Sequence, residues 1–363
     1  MANEPISSAD MQDFIPTIIA GKTLEYLRGD VVFPKLSIVD FSPDVSSMGE
    51  TVNIPKLGSY VAKDKSAKTP TELQDMASDS VPVTLNKHKY VQFLLEDTAL
   101  AKAKPGLIDL HSRAAANALI EQIEADFAAL FDSCYIPGTG TITATAASDA
   151  VVGVGTLFTS QLKVGDKIKT AGGVVKEVAT ITDNTHLTVD SVYSGTESGV
   201  AFSFIQQSVF ATTITDAAVV EARRRLRQNK ANVNDLAFVA SLDDYAELLN
   251  LSTYRDASTI NEGSLRAGSL GQIRGFNVYE DNAFEKAYSA AFSPMAIGAA
   301  FRALEPVKGA WKSTVVSDPD SGLAVRVTVI YSDDDLGYKV TLDVLYGVAV
   351  IEPTQIVRLA VAV

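Results

Sequence analysis

Three histidines, one cysteine and two aspartate clusters are the residues of this 363-residue chain whose types could do chemistry, and their spacing argues against it. His88, His111 and His186 fall in a strand pattern, a helix pattern and a β-rich segment, so no two have the spacing of a metal-ligating pair. Cys134 sits in Phe131-Asp132-Ser133-Cys134-Tyr135 with no histidine to generate a thiolate and no second cysteine to pair with, and reads as a buried structural thiol. Gly153 and Gly155, and the series Gly268, Gly271, Gly275, lack the spacing of a phosphate loop and read as backbone turns. Gly195-Thr196-Glu197-Ser198-Gly199 places its serine one position late for a hydrolase elbow. Asp318 with Asp320, and Asp333-Asp334-Asp335, could hold calcium or do acid/base work as grouped carboxylates. Both lie in turn sequences, Asp-Pro-Asp-Ser-Gly and Asp-Asp-Asp-Leu-Gly, where a solvated turn is the plainer reading. No catalytic, metal or cofactor site is expected.

The cationic residues suggest binding instead. Arg223, Arg224, Arg225 and Arg227 form the one strong positive run. At about 100° per residue, three adjacent arginines on a helix spread over about 200°, so at least one must meet a partner or solvent. The alternatives are acidic groups of a neighbouring subunit, a solvated face, or phosphate. Lys56, Lys63, Lys65 and Lys68 share the stretch Pro55–Ser80 with Glu72, Asp75 and Asp79 and with little that could build a core. That stretch reads as a two-stranded excursion projecting from the body, long enough to be expected on a partner.

Composition bounds the rest. Hydrophobic residues at 47% and charged ones at 21% are values of a chain that buries a core. With 31 basic against 44 acidic residues the net charge is −13, too acidic for a general nucleic-acid binder. The first ten residues hold Glu4 and Asp10 and no apolar run, so no secretory signal is expected there, and no apolar stretch approaches the ~18 residues of a membrane span. A soluble protein of a cytoplasm follows.

The elements that carry these residues change character along the chain. Residues 1–30 read as an arm with a helical patch at Asp13–Leu27. Strand patterns occur at Val31–Phe33, Thr51–Ile54, Val81–Leu85 and Tyr90–Leu94. Pro105-Gly106 opens the longest helix, Leu107–Phe131, whose apolar stripe is predicted as Leu107, Leu110, Ala114, Leu119, Ile123, Phe127, Leu130 and Phe131. After Pro137-Gly138-Thr139-Gly140 the pattern turns to Val, Thr, Gly and Ser, with strands predicted at Thr141–Thr145, Lys167–Thr170, Val174–Ile181, Leu187–Val189 and Val200–Ile205. This reads as a small all-β module inserted into another domain. Thr215 caps a helix running to about Asn229, and Ser241 caps another at Leu242–Asn250. Strands are expected at Leu236–Ala240, Ile273–Tyr279 with a bend at Gly275, Leu323–Tyr331, Tyr338–Leu345 and Val348–Ile351.

This order of arm, charged excursion, spine helix, α+β body and C-terminal sheet resembles the major capsid proteins of tailed bacteriophages. The resemblance covers most of the chain outside Thr141–Ile205 and is carried by Gly271-Gln-Ile-Arg-Gly275-Phe-Asn-Val-Tyr279-Glu and by Arg326–Val350 with its Asp343-Val-Leu-Tyr346-Gly347-Val. It implies an α+β fold of that family with an added all-β domain. The implied parts are an N-terminal arm (1–30), an extended loop with flanking strands (31–94), the spine helix of a peripheral domain (95–137), the inserted domain (138–205), the peripheral domain continued (206–235), an axial domain (236–346) and a C-terminal strand (347–363).

The function so implied is geometric: hexamers and pentamers closing an icosahedral shell around phage double-stranded DNA. The inter-subunit contact candidates are then Lys56, Lys63, Lys65, Lys68, Arg223, Arg224, Arg225 and Arg227. The implied partners are further copies of the chain, a scaffolding protein, a portal protein, a cement or decoration protein and non-specifically packaged DNA, with no membrane. The implied place is the virion capsid, assembled in a bacterial host's cytoplasm. Because the arm begins almost at Met1, a separate scaffolding protein or a trimmed chain is expected. No crosslinking or catalytic residue carries over. A net −13 suits an inner wall that repels DNA rather than gripping it. An encapsulin-type compartment shell and a surface adhesion protein are the competing readings. The long arm and the inserted module speak against the first, while the module alone is compatible with the second.

Overall fold

A computed structural model describes residues 22–23, 25, 31–39, 51–56, 62–65, 70–71, 73, 79–96, 107–232, 235–251, 270–284, 288–307, 312–317 and 322–361. The chain divides into two compact units, 1–123 with 298–351, and 124–297 with 352–363. The expected boundary at 235/236 falls inside the second unit, and the expected axial segment 236–346 is shared between the two.

In the first unit the base of the excursion is an antiparallel ribbon, Thr51–Lys56 against Asp79–Thr84, in register from Thr51↔Thr84 to Lys56↔Asp79. Alternation places Val52 and Ile54 on the inner face with Val83 and Leu85, where they pack with Ala300 and Ile351. Most of the stretch between the two strands lies outside the described residues, as do most of the arm and the helix opening at Pro105-Gly106. The larger sheet orders Lys312–Ser317, Ala324–Ser332 and Gly337–Val350, with Lys87–Glu96 paired to the last along Gly337–Tyr346. Here Gly347 does not join two strands as expected. It lies inside a single 14-residue strand, and a Cβ at this position would stand 2.1 Å from the Thr84 carbonyl oxygen, so glycine lets the ribbon's backbone approach. The strand expected at Val31–Phe33 is replaced by a 3₁₀ turn at Phe33–Leu36, whose first positions hold Pro34 with its φ preset for helix.

The long helix spans Leu107–Phe131 as the spacing predicted. Its buried stripe runs through Ser112, Ala116, Leu119, Ile123, Phe127 and Phe131, while Ala114 is exposed and Leu130 half-buried. Ser112 and Ala116 are too small to mark a buried face by residue type, so the spacing of apolar residues alone does not separate Ala116 from Ala114.

In the second unit a six-stranded sheet runs in the order Gln207–Phe210, Ile356–Val361, Ser289–Phe292, Ala237–Ala240, Phe276–Glu280, Gln272–Ile273. The helices Asp216–Gln228 and Leu242–Asn250 begin at their expected caps: Thr215 accepts from the Ala218 N–H and Ser241 from the Asp244 N–H. Val219, Leu226 and Leu248 join Phe238, Phe276 and Leu359 in one core. The strand expected at Ile273–Tyr279 is a hairpin. Arg274 (φ 48°) and Gly275 (φ 82°) both take positive φ, the two-residue turn that matches strand twist.

Residues 136–205 form a second sheet in this unit, eight strands from Glu197–Val200 at one edge to Ile136–Pro137 at the other. Its separate core contains Ile142, Val151, Phe158, Ile168, Leu187, Tyr193 and Phe202. Ala150–Val154 is a further strand, not expected from sequence because Gly153 interrupts its short apolar run. Phe158–Gln161 adds one helical turn, and the strand expected at Val200–Ile205 divides into Glu197–Val200 and Phe202–Ile205.

Candidate functional site

The arginine run lies on Asp216–Gln228, and the four side chains have different fates. Arg225 turns inward with 6% of its side chain exposed and pairs through Nη1 with the fully buried Asp166. Its Nε donates to Glu221 at 3.3 Å. Glu221 also accepts two bonds from Arg224, each 2.7 Å, and pairs with Lys163. Asp166 sits in the turn Val164-Gly165-Asp166 of the β-rich segment and accepts from the backbone N–H of Gln207 and of Lys163, both at 2.8 Å. Gln207 in turn donates through Nε2 to the Gly165 carbonyl at 3.0 Å. Burial is the largest influence on Asp166 and pushes its pKa up to about 6, while Arg225 and the Gln207 N–H pull it down. Arg225 thus leaves the set of inter-subunit candidates, because its charge is spent inside its own subunit.

Sequence reasoning missed Asp166, Lys163 and Glu221. The signal was the turn Val164-Gly165-Asp166, read only as a strand break, when its aspartate needed a counter-charge. Arg223 lies over the hairpin turn, its guanidinium about 3 Å from where a Gly275 Cβ would stand. Arg227 is exposed, and neither it nor Arg223 has an ion-pair partner among the described residues.

The lysines are placed less fully. Lys56 ends the ribbon opposite Asp79, Lys63 and Lys65 are exposed, and Lys68 lies outside the described residues.

The residues with catalytic potential are held structurally. His88 Nε2 meets the buried Asp343 at 2.8 Å, and Asp343 also pairs with Arg326. His111 stacks on Phe93 at 5.3 Å between centroids, and His186 bonds Asp183 within its own turn at 3.1 Å. Cys134 is buried, donates to the Phe131 carbonyl, and has its pKa pushed up to about 12 by burial. Asp335 accepts from Lys339 and Ser332, which lower its pKa, whereas Asp318 and Asp320 lie outside the described residues. Among the described residues no three potential metal ligands converge, and no helix is long and apolar enough to cross a membrane.

No protein-family model matches the sequence, and no curated protein matches it. Solved structures do. A structure from Mycobacterium phage Che8 aligns at TM-score 0.53 and 16% identity, over 91% of this chain and 91% of that one. The capsid structure of the cyanophage P-SCSP1u aligns at TM-score 0.54 and 12% identity, over 92% of this chain and 88% of that one. At such identities the likeness is one of fold.

Proposed function

We propose that this chain, whose fold is that of a tailed-phage major capsid protein, is the shell-forming subunit of a capsid. The observation that carries the reading is the alignment with the P-SCSP1u capsid structure over about nine-tenths of both chains, which leaves little of either molecule for an unrelated task. The described residues agree in what they hold: His88 and His186 pair with aspartates, His111 stacks on Phe93, Cys134 is buried, and other charged groups are spent on ion pairs or displayed at the surface. The chain's work is then assembly. Copies gather as hexamers and pentamers of a closed icosahedral shell, and the ribbon Thr51–Lys56 with Asp79–Thr84 carries the charged excursion onto a neighbour. Many weak contacts repeated around a shell give the avidity that one contact lacks.

A scaffolding protein, a portal and a cement protein complete the assembly, which takes place in the host cytoplasm. DNA is enclosed without specific recognition, and a chain of −13 limits sticking during packaging. Sedimentation velocity of the expressed chain, with and without co-expressed scaffold, tests the reading. Species of capsomer or shell size are expected, and a 38.6 kDa monomer under every salt and scaffold condition contradicts it. The contents of recovered particles separate phage shell from enzyme compartment: scaffold or DNA in the first, a cargo enzyme in the second.

A further inference from the structure

Two buried acids of the second unit meet at a place the ion pairs above do not reach. Glu124, on the last turns of the helix Leu107–Phe131, is 4% exposed, and Asp281, directly after the strand Phe276–Glu280, is 9% exposed. A hydrogen bond joins their carboxyl groups. An ionised carboxylate only accepts, so two of them cannot bond to each other, and one of the pair must carry a proton. Asp281 already accepts from the Ala283 N–H at 2.7 Å, which favours its ionised form. The proton therefore rests on Glu124 and is donated to Asp281. Its loss sets two like charges side by side where water reaches poorly.

The pair lies where the turn at 281–284 is fastened to the helix. The Asp281 N–H donates to the Ala240 carbonyl at 3.0 Å, and Phe284 packs edge-on against Phe131 with ring centroids 5.4 Å apart. Glu124 and Phe131 are two helical turns apart on one face, so acids and rings hold the turn at two points. The titratable and charged groups on the surrounding elements are Glu121 and Asp126 on the helix, Glu280 before the turn, Asp244 bonded to Ser289, and Tyr288 under Arg358, its hydroxyl donating to the Ala128 carbonyl. None of these is among the influences on Asp281. Those are burial, which raises its pKa, then the Ala283 N–H and Glu124, which lower it.

We propose that Glu124 and Asp281 share one proton and form a pH-set latch between the long helix and the turn at 281–284, closed while the proton is held and released when it is lost. The sign follows from proton linkage. Folded, the pair keeps a proton that the unfolded chain gives up above the ordinary carboxylate range, about pH 4 to 4.5. The latch's contribution to stability is therefore full below that range. It falls as pH rises, until the folded pair loses the proton as well. The latch belongs to the single subunit and does not rest on the shell-subunit reading.

The test is urea unfolding and hydrogen exchange of the full chain across the acid-to-alkaline range, parent against Glu124→Gln. A glutamine amide N–H donates to the Asp281 carboxylate at every pH, so the variant keeps the bond without the titrating proton. The parent's unfolding equilibrium constant is expected to rise relative to the variant's by about tenfold per pH unit, the slope of one proton, and to level off beyond the pair's own apparent pKa. Asp166 is present in both chains and cancels in the ratio. Exchange at 281–284 is expected to quicken over the same range in the parent relative to the variant. If Glu124→Gln does not fold, Asp281→Asn takes its place, its amide donating to Glu124, with the same results expected. A ratio that stays constant across the range overturns the shared proton, and a ratio that changes without faster exchange at 281–284 overturns the latch.

Discussion

Arg225 on the helix Asp216–Gln228 and Asp166 in the turn at 164–166 form a buried ion pair that ties the β-rich segment to the six-stranded sheet's own helix. Replacing one partner strands the other charge away from water, which typically costs about 3–5 kcal/mol, whereas removing both is often nearly neutral. Arg225→Met is therefore expected to lower the unfolding free energy by a few kcal/mol, and Asp166→Asn with Arg225→Met to recover most of the loss. Urea titrations of the single and double variants check this, and equal losses in both remove the pair from the account.

The same pair revises what excision of 141–205 should do. A segment that reads from sequence as an inserted module is expected to be replaceable by a short Gly/Ser linker with the capsid fold intact and the shell weakened to heat or pressure. In the structure its removal takes away Asp166 and Lys163, leaving Arg225, Glu221 and the Gln207 N–H without partners they now have. The linker variant is expected to be poorly soluble or to melt well below the parent, and Arg225→Met in the same background to restore part of the midpoint. Soluble yield and thermal scans decide.

Asp166 also predicts a pH dependence. Burial raises its folded-state pKa to about 6, above the ordinary aspartate range, so the folded chain takes up this proton at a higher pH than the unfolded chain. The group's contribution to stability is full below about pH 4 and is lost as pH rises through about 6. Stability of the parent relative to Asp166→Asn should fall across that window and level off above it. A constant difference from pH 4 to 7 contradicts the assignment.

At the hairpin turn, Gly275 at φ 82° holds a conformation that costs a β-carbon roughly 1–2 kcal/mol, and the Arg223 guanidinium lies in the path of that carbon. Gly275→Ala should destabilise by at least that much, and Gly275→Asn by less, since asparagine tolerates left-handed backbone. Unfolding midpoints of the two variants report the order.

Cys134 offers a simple probe of the second unit. With its pKa raised to about 12 the thiol is almost wholly protonated near neutrality, and it is buried besides. Iodoacetamide at pH 8 should label the folded chain orders of magnitude more slowly than the chain in urea.

How much of this was legible beforehand follows from the range of the interactions. Local signals carried well: the Thr215 and Ser241 caps, the helix Leu107–Phe131 and most strands of 141–205 depend on neighbours within a few residues. Whatever depends on distant partners did not. Gly347 looks like a break until the Thr84 backbone lies against it, and the Gly275 bend becomes a hairpin only once Ile273 pairs with Phe276. Of the arginine run, the angular spread on a helix shows that not all can face the core, but which one turns inward is decided by Asp166, 59 residues away in sequence.

Cryo-electron microscopy of the expressed chain, alone and with scaffold, tests the central claim most directly. Closed shells built of five- and six-membered rings, with this fold fitting each subunit's density, are the predicted result. A map of a discrete monomer or small oligomer with no closed shell under any condition contradicts it.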